Sequence, residues 1–410
     1  MRVKEMASRL LGLVSFLKRQ EKPFKVNLAK NIVENFSLSL TDQYQSIYIT
    51  ALGADPVKLG YVNSVGGVAG ALTAVPVGWL ADRFGIRRIL LMALPLMAMG
   101  SMIFALSKSW EITALAFLIS ALSLRMEMTV CPMICGNTLK DEERVTGMQL
   151  CDTLSALPRL IAPLVAAQII TFAGGLNARG IRPLYWLRSL GVSIGALIIY
   201  LYFTNPIEPR GRTEQLNIFE AVGRVFREGR MVKRWILLLV LSVLPFYLYP
   251  YFPLYAKEVK GADQYVIAGM NMASTLIIVL LSLPTGNLAD RFGRKRVIFS
   301  MMPLYCASLL FLIYAPTPQF LLLAGLLNGF NTLIAAIQGA ITVEIIPREL
   351  LGSWFGILGL IRGLVGVLAP LIGGYLWEAI SPSAVFHLIL LTQLGKALIL
   401  LSMPSTVTRG

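Results

Sequence analysis

The sequence predicts an all-α membrane protein, with twelve transmembrane helices in two six-helix bundles related by a pseudo-twofold axis. Three observations carry that prediction. Apolar residues make up 56% of 410 positions and charged residues only 14%, against roughly a quarter charged in typical globular chains. The apolar residues fall in long runs without charge, over 59–81, 89–107, 235–256 and 264–289, and again over 297–343. Finally, the two halves of the chain repeat one another. Gly53-Ala54-Asp55 matches Gly261-Ala262-Asp263 at an offset of 208, as do Asn63 with Asn271 and Pro76 with Pro284. The offset drifts to 207 where Ala162-Pro163-Leu164 meets Ala369-Pro370-Leu371. Apolar composition alone does not produce such a register.

A bilayer crossing takes about 20 mostly apolar residues. Twelve such spans are expected: 28–51, 58–81, 88–108, 112–138, 147–173, 184–204, 235–256, 264–289, 296–315, 319–345, 353–377 and 383–403. A Pro316-Thr317-Pro318 turn divides the 297–343 run into two of them. Residues 28–204 form the first bundle and 235–403 the second, with a tail over 404–410. The segment ahead of the first span, 1–27, has too short an apolar core (Leu10 to Leu17) and no small-residue cleavage site for a signal peptide. An amphipathic helix lying on the membrane is expected over 5–20. The linker over 205–234 is charged, with seven basic and four acidic residues between 208 and 234, and is expected to be soluble with an amphipathic helix near Ile218–Phe226.

Charge then sets orientation. Of the 37 basic residues, 25 fall in the termini, the linker and the loops on the side of the termini, and six in the opposite loops. By the positive-inside rule both termini are cytoplasmic and the chain sits in a cell membrane. The net charge of +15 is mostly this bias, so no nucleic-acid partner is implied. The four cysteines all lie in apolar segments. Cys131 and Cys135 are one helical turn apart, but no His or second Cys pair sits nearby, so packed thiols are expected rather than a metal site. No cofactor is implied.

The longest repeated stretch is Gly78-Trp79-Leu80-Ala81-Asp82-Arg83-Phe84-Gly85 against Gly286-Asn287-Leu288-Ala289-Asp290-Arg291-Phe292-Gly293, each followed by further basic residues. This doubled G-x-L-A-D-R-F-G-x-[RK]-R loop resembles the signature of the major facilitator superfamily of secondary transporters, and the resemblance covers residues 28–403. It implies that fold, a monomer, a small-molecule solute as cargo, and a binding site between the bundles. It also implies a gate on the cytoplasmic side. Gly78 and Gly286 let helices approach closely. Asp82 and Asp290 would dock on the helix N-termini of spans 11 and 5. Arg83, Arg87, Arg88, Arg291, Arg294, Lys295 and Arg296 would hold the halves closed, with Gly85 and Gly293 in the turns. The other reading of these cations is that they only set topology.

Polar groups inside spans are costly and mark function. Span 1 carries Asn31, Glu34, Asn35, Ser39, Asp42, Gln43 and Ser46 on one helical face. The stripe fits either a cavity wall or a surface-lying helix, and the resemblance favours the wall. Span 4 holds Arg125 and Glu127, span 5 Asp152 and Arg159, span 11 Arg362 and span 12 Lys396. Many family members carry a coupling arginine in span 4, which makes Arg125 with Glu34, Asp42 or Glu127 the candidate proton-coupling group. A static Arg125–Asp42 ion pair is the alternative. Span 7 is aromatic (Phe246, Tyr247, Tyr249, Tyr251, Phe252, Tyr255) and broken by Pro245, Pro250 and Pro253, so its tyrosines are interfacial anchors or cavity lining. Asn271, Asn328, Asn331 and Gln338 complete the expected cavity, with Asn35, Ser39, Gln43, Arg159 and Arg362. The expected function is proton-coupled export of a small organic solute by antiport. Import of an organic anion by symport, and a non-transporting sensor on the same fold, stay open. No nucleophile–base pair and no phosphate-binding G-x-x-x-x-G-K-[ST] loop occurs, so an enzyme or an ATP-driven pump is not expected.

Overall fold

The computed structural model describes residues 16, 18–73, 84–139, 144–204, 230–345 and 351–403. The expected surface helix over 5–20 for all but its last residues, the linker helix, and Gly78, Asp82 and Arg83 lie outside this set.

All regular structure among the described residues is helical. Span 1 is Lys22–Ser39 continued by Gln45–Ala51 across a 3-10 turn at Asp42–Tyr44. Span 2 is Pro56–Thr73, span 3 Ile86–Leu106 and span 4 Trp110–Thr138. Span 5 is Arg144–Ala156 and Ala162–Phe172, interrupted by a 3-10 turn at Leu157–Leu160. Span 6 is Ala178–Tyr202. Span 7 is Arg230–Leu248 and Tyr251–Glu258, bent by 42°. Spans 8 to 12 are Gln264–Phe292, Arg294–Tyr314, Leu321–Ile345, Leu351–Ala379 and Ala384–Leu401.

Nine of the described spans are long and apolar enough to cross a bilayer, and the bent pair of span 7 makes a tenth. Span 1, diluted by its polar stripe, and span 2, described only to Thr73, complete the twelve. Each interruption has a local cause. Pro158 stands at the start of the turn in span 5, and Pro250 lies at the bend of span 7, where a missing N–H and a fixed φ break the helical ladder.

The repeat has a structural reason. Gly53 and Gly261 turn the chain at φ 95° and 68°, a region open to glycine without penalty. Two residues on, Asp55 Oδ1 accepts from the Lys58 amide at 2.7 Å, and Asp263 Oδ1 from the Val266 amide at 2.8 Å. Both aspartates therefore cap the helix they open, spans 2 and 8. Gly85 (φ 82°, ψ 154°) and Gly293 (φ 91°, ψ 131°) make the equivalent turn into spans 3 and 9.

Apart from spans 2 and 11, the spans of each half pack chiefly on one another; spans 2 and 11 pack chiefly on each other across the halves, and span 5 also meets span 8. The first seam is built on glycine. A Cβ on Gly60 would meet Pro370 O at 2.6 Å, one on Gly374 would meet Pro56 O at 2.5 Å, and one on Gly67 would run into the backbone of Gly366. Ser64 Oγ donates across it to Val367 O at 2.6 Å, and Tyr251 Oη to Pro56 O at 3.2 Å. The second seam carries Tyr44 Oη to Gln264 O at 2.8 Å, Gln264 Nε2 to Thr171 Oγ1 at 2.9 Å and Tyr265 Oη to Gln168 Oε1 at 2.9 Å. These residues lie towards the ends of their helices remote from the chain termini.

On the terminus side the picture reverses. Pro284, Asn287, Asp290, Arg291 and Phe292 of span 8 are exposed, and a Cβ on Gly286 would meet nothing within 4 Å. Among the described residues, the halves are joined on the side away from the termini, and the terminus-side part of span 8 leaves the other side open.

Candidate functional site

Between the halves lies a cavity of about 200 Å³. The first half contributes Ser39, Asp42 and Arg159 to its wall. The second contributes the amides Asn271, Asn328 and Asn331 and the hydroxyls of Ser274, Thr275, Thr332, Tyr249 and Tyr305, with Pro245 and Phe246 as the apolar floor. Asp42 and Arg159 are the charged residues of this wall. Both owe their position to broken helix. Asp42 opens the 3-10 turn of span 1 and Arg159 sits in that of span 5.

No ion pair joins the two among the described residues, although Arg159 lies in electrostatic reach of Asp42. Behind Asp42, Arg188 of span 6 approaches at 3.7 Å. Arg188 is 5% exposed and is turned into its own bundle, with Nη1 donating to Thr41 Oγ1 at 2.8 Å and Nη2 facing Met97 Sδ at 3.5 Å. The Asp42 side chain is 56% exposed to the opening. Arg159 Nε donates to Asn35 Oδ1 at 3.1 Å, and Nη2 joins the same oxygen.

Several expected cavity residues are elsewhere. Gln43 is buried, because it is the middle residue of the tighter 3-10 turn, which rotates it out of the stripe. Gln338 is buried within the second half, where Nε2 donates to Ser242 Oγ at 3.1 Å. Asn35 stands beside the cavity as the partner of Arg159. Arg125 lies along Gly70 and reaches Tyr247 Oη at 3.5 Å, with exposed Arg362 in electrostatic reach of both. The Arg125–Asp42 pair is not formed. Span 7 divides its aromatics: Phe246 and Tyr249 line the cavity, while Tyr251 and Tyr255 pack against Trp377.

A second constellation lies deeper in the first half. Lys30 Nζ sits 2.6 Å from Glu34 Oε2 and 2.9 Å from Glu127 Oε2, with side-chain exposures of 1%, 7% and 7%. The two carboxylates are also within hydrogen-bonding reach of each other, and Glu127 Oε1 has no partner. Fully ionised, the cluster carries one net negative charge in a dry interior; one proton makes it neutral. Towards the terminus side it is followed by Asn27, Asn31 and Cys131, where both amides approach the thiol at 3.6 Å, and then by Cys151 beside exposed Asp152. Sequence reasoning singled out both acids but not Lys30, although Lys30 and Glu34 are spaced as an i,i+4 pair on one helical face.

The loop residues also have definite places. Arg87 Nη2 donates to Tyr200 O at 2.8 Å, the end of span 6; at the same repeat position Lys295 Nζ donates to Met403 O at 2.5 Å, the end of span 12. Cations suit the carbonyl-rich C-terminus of a helix. Each of these two bonds lies within one bundle. Asp290 pairs with Arg294 in its own loop at 3.7 Å with 70% of its side chain exposed, and Arg88 is exposed. No group of His, Cys, Asp and Glu able to hold a metal ion occurs among the described residues.

Comparison with known proteins agrees with this architecture. The family model described as Major Facilitator Superfamily matches residues 35–283 and 270–404. The multidrug resistance protein MdtG of Salmonella arizonae is 24% identical over 378 residues, covering 88% of this chain and 89% of its own. The protein of the same name from Citrobacter koseri is 25% identical over 379 residues, with the same coverage. Among solved structures, the nucleoside transporter NupG superposes with a TM-score of 0.70 at 14% identity, over 93% of this chain and 98% of its own. The E. coli fucose:proton symporter FucP gives 0.63 at 13% identity, over 94% and 99%.

Proposed function

The chain belongs to the major facilitator superfamily of transporters, and on that premise we propose that it moves a small organic solute by alternating access, coupled to protons, with export by antiport as the net direction. The observation that carries the coupling is the buried Lys30–Glu34–Glu127 cluster. A net charge held in low dielectric is expensive. Gaining or losing one proton therefore changes the free energy of burying the cluster, and any motion that alters its access to water is biased by proton binding. The cluster and the cavity are separate stations on one helix: Glu34 and Asp42 are eight residues apart, about 12 Å along a helix axis.

Orientation follows the charge distribution, so the termini are placed in the cytoplasm and the open side faces inward. A solute then enters the cavity from the cytoplasm. Release to the other side requires the glycine seam between spans 2 and 11 and the Tyr44–Gln264 seam to part while the terminus side closes. Asp82 and Asp290 are the proposed docking groups of that closure. MdtG relatives carry the name of multidrug resistance proteins, which supports efflux. Uptake of an organic anion is the weaker reading, because only Arg159 of the expected arginines lines the cavity and Asp42 faces the same space.

The test is purified protein in liposomes with a pH-reporting dye sealed inside and a panel of organic solutes added. Solute movement accompanied by proton movement in the opposite direction supports the proposal. Solute movement with no proton flux refutes the coupling, and a panel with no transported member refutes transport.

A further inference from the structure

We infer that the cargo is a zwitterion, a small polar solute bearing an ammonium and a carboxylate that engage Asp42 and Arg159 respectively. The inference rests on the carrier reading of the same cavity and specifies what that cavity accepts.

The wall holds two charges with coordination to spare. Asp42 and Arg159 stand on the same wall without bonding each other. An ionised carboxylate accepts at about four lone-pair sites and a guanidinium donates through five N–H groups. Asp42 pairs among the described residues with Arg188 at 3.7 Å, has Arg159 in electrostatic reach but not in contact, and leaves more than half its side chain open. Arg159 directs Nε and Nη2 at a neutral amide, Asn35, and keeps its remaining donors. Both groups thus retain capacity for a ligand of opposite charge.

The same pair discriminates. A simple anion drawn to Arg159 meets the Asp42 carboxylate, and a simple cation drawn to Asp42 meets Arg159 with Arg188 behind. Repulsion of each singly charged class is how a site gains specificity against near neighbours. Only a solute carrying both charges satisfies both groups. The opposite wall agrees, for it presents Asn271, Asn328, Asn331 and several hydroxyls but no charge. Those groups recognise further polar atoms, and Phe246, 74% exposed, offers one flat apolar face.

Thermal stabilisation of the purified carrier tests this. The probes are the free amino acids and a set of dipeptides, the methyl esters and N-acetyl derivatives of those that respond, and tetraphenylphosphonium. Binding to the folded state raises the melting temperature by mass action. At least one zwitterion is expected to stabilise the carrier. Its ester and its N-acetyl form should need roughly 10- to 100-fold higher concentrations, the range set by losing a charge-assisted hydrogen bond. Asp42→Asn should abolish discrimination against the N-acetyl form, and Arg159→Gln that against the ester, while Arg159→Lys keeps the latter in part. The inference is overturned if no zwitterion stabilises the protein, or if esters, N-acetyl forms or tetraphenylphosphonium bind as well as the zwitterion. Proton flux is a separate readout. A bound zwitterion that drives no proton movement overturns the coupling and leaves the recognition standing, whereas proton-coupled movement of singly charged solutes alone does the reverse.

Discussion

Replacing Gly67 by alanine places a methyl group inside the backbone of span 11. The new Cβ would lie 2.5 Å from Val367 N and 2.7 Å from Gly366 O, closer than real Cβ atoms approach, and neither neighbour is the free end of a flexible side chain. The helices must separate to admit it, and overpacking of this kind costs about 1–3 kcal/mol. That penalty falls only on the conformation in which spans 2 and 11 touch. The gain in helix propensity from alanine applies in every conformation and cancels. The equilibrium should therefore move away from the state described here by about 5- to 150-fold. In cells, a single cysteine at Asn271, in a background lacking the four native cysteines, would be attacked by a membrane-impermeant maleimide only when the seam is open to the outside. The Gly67→Ala variant should label faster by up to that factor. Gly339→Ala, where a Cβ meets nothing within 4 Å and no seam is touched, is the control and should label as the parent does. A folded Gly67→Ala protein labelled within twofold of the parent would refute the assignment of this seam as the closed gate.

Other outcomes follow from single features. Lys30→Met leaves two buried carboxylates without their cation and should destabilise the first bundle by about 3–5 kcal/mol, read as a fall in melting temperature in detergent; adding Glu34→Gln and Glu127→Gln to it should recover most of the loss. Gly293→Ala meets no atoms but needs a side chain at φ 91° and ψ 131°, so about 1–3 kcal/mol of backbone strain is expected, and an unchanged melting temperature would contradict the turn geometry. Asp263→Ala removes the cap on the Val266 amide and should cost about 1 kcal/mol, again read by thermal unfolding. Lys295→Met should lower stability by no more than about 1 kcal/mol, because its bonds run to the end of span 12 within the same half; a loss above 3 kcal/mol would show that it does more than cap that helix.

Much of the fold was legible because it depends on features that survive in one dimension. Long uncharged runs mark the spans, and the doubled Gly-Ala-Asp and Ala-Asp-Arg-Phe-Gly segments mark equivalent turns. Their structural meaning, positive φ at Gly53, Gly85, Gly261 and Gly293 and capping by Asp55 and Asp263, is local and therefore repeats with the sequence. The site was legible only in part. Ser39, Asp42, Arg159, Asn271, Asn328 and Asn331 were identified and share one cavity. Gln43 was assigned from a regular helical stripe that the 3-10 turn at Asp42–Tyr44 interrupts. Arg188 escaped notice because its role depends on how spans 1, 3 and 6 converge on Thr41, Met97 and Asp42, which no spacing within one helix encodes. Lys30 was missed although its spacing to Glu34 is visible within one helix; its other partner, Glu127, lies 97 positions away.

The most direct test of the account is net flux against exchange in Glu127→Gln. The carrier is reconstituted in liposomes with a solute selected by thermal stabilisation. One preparation has an imposed proton gradient; the other has labelled solute inside and unlabelled solute outside at equal pH. Glu127→Gln is expected to exchange solute at a rate comparable to the parent but no longer to accumulate it against the gradient. Gradient-driven accumulation at the parent's level in this variant would contradict the claim that the Lys30–Glu34–Glu127 cluster carries the coupled proton.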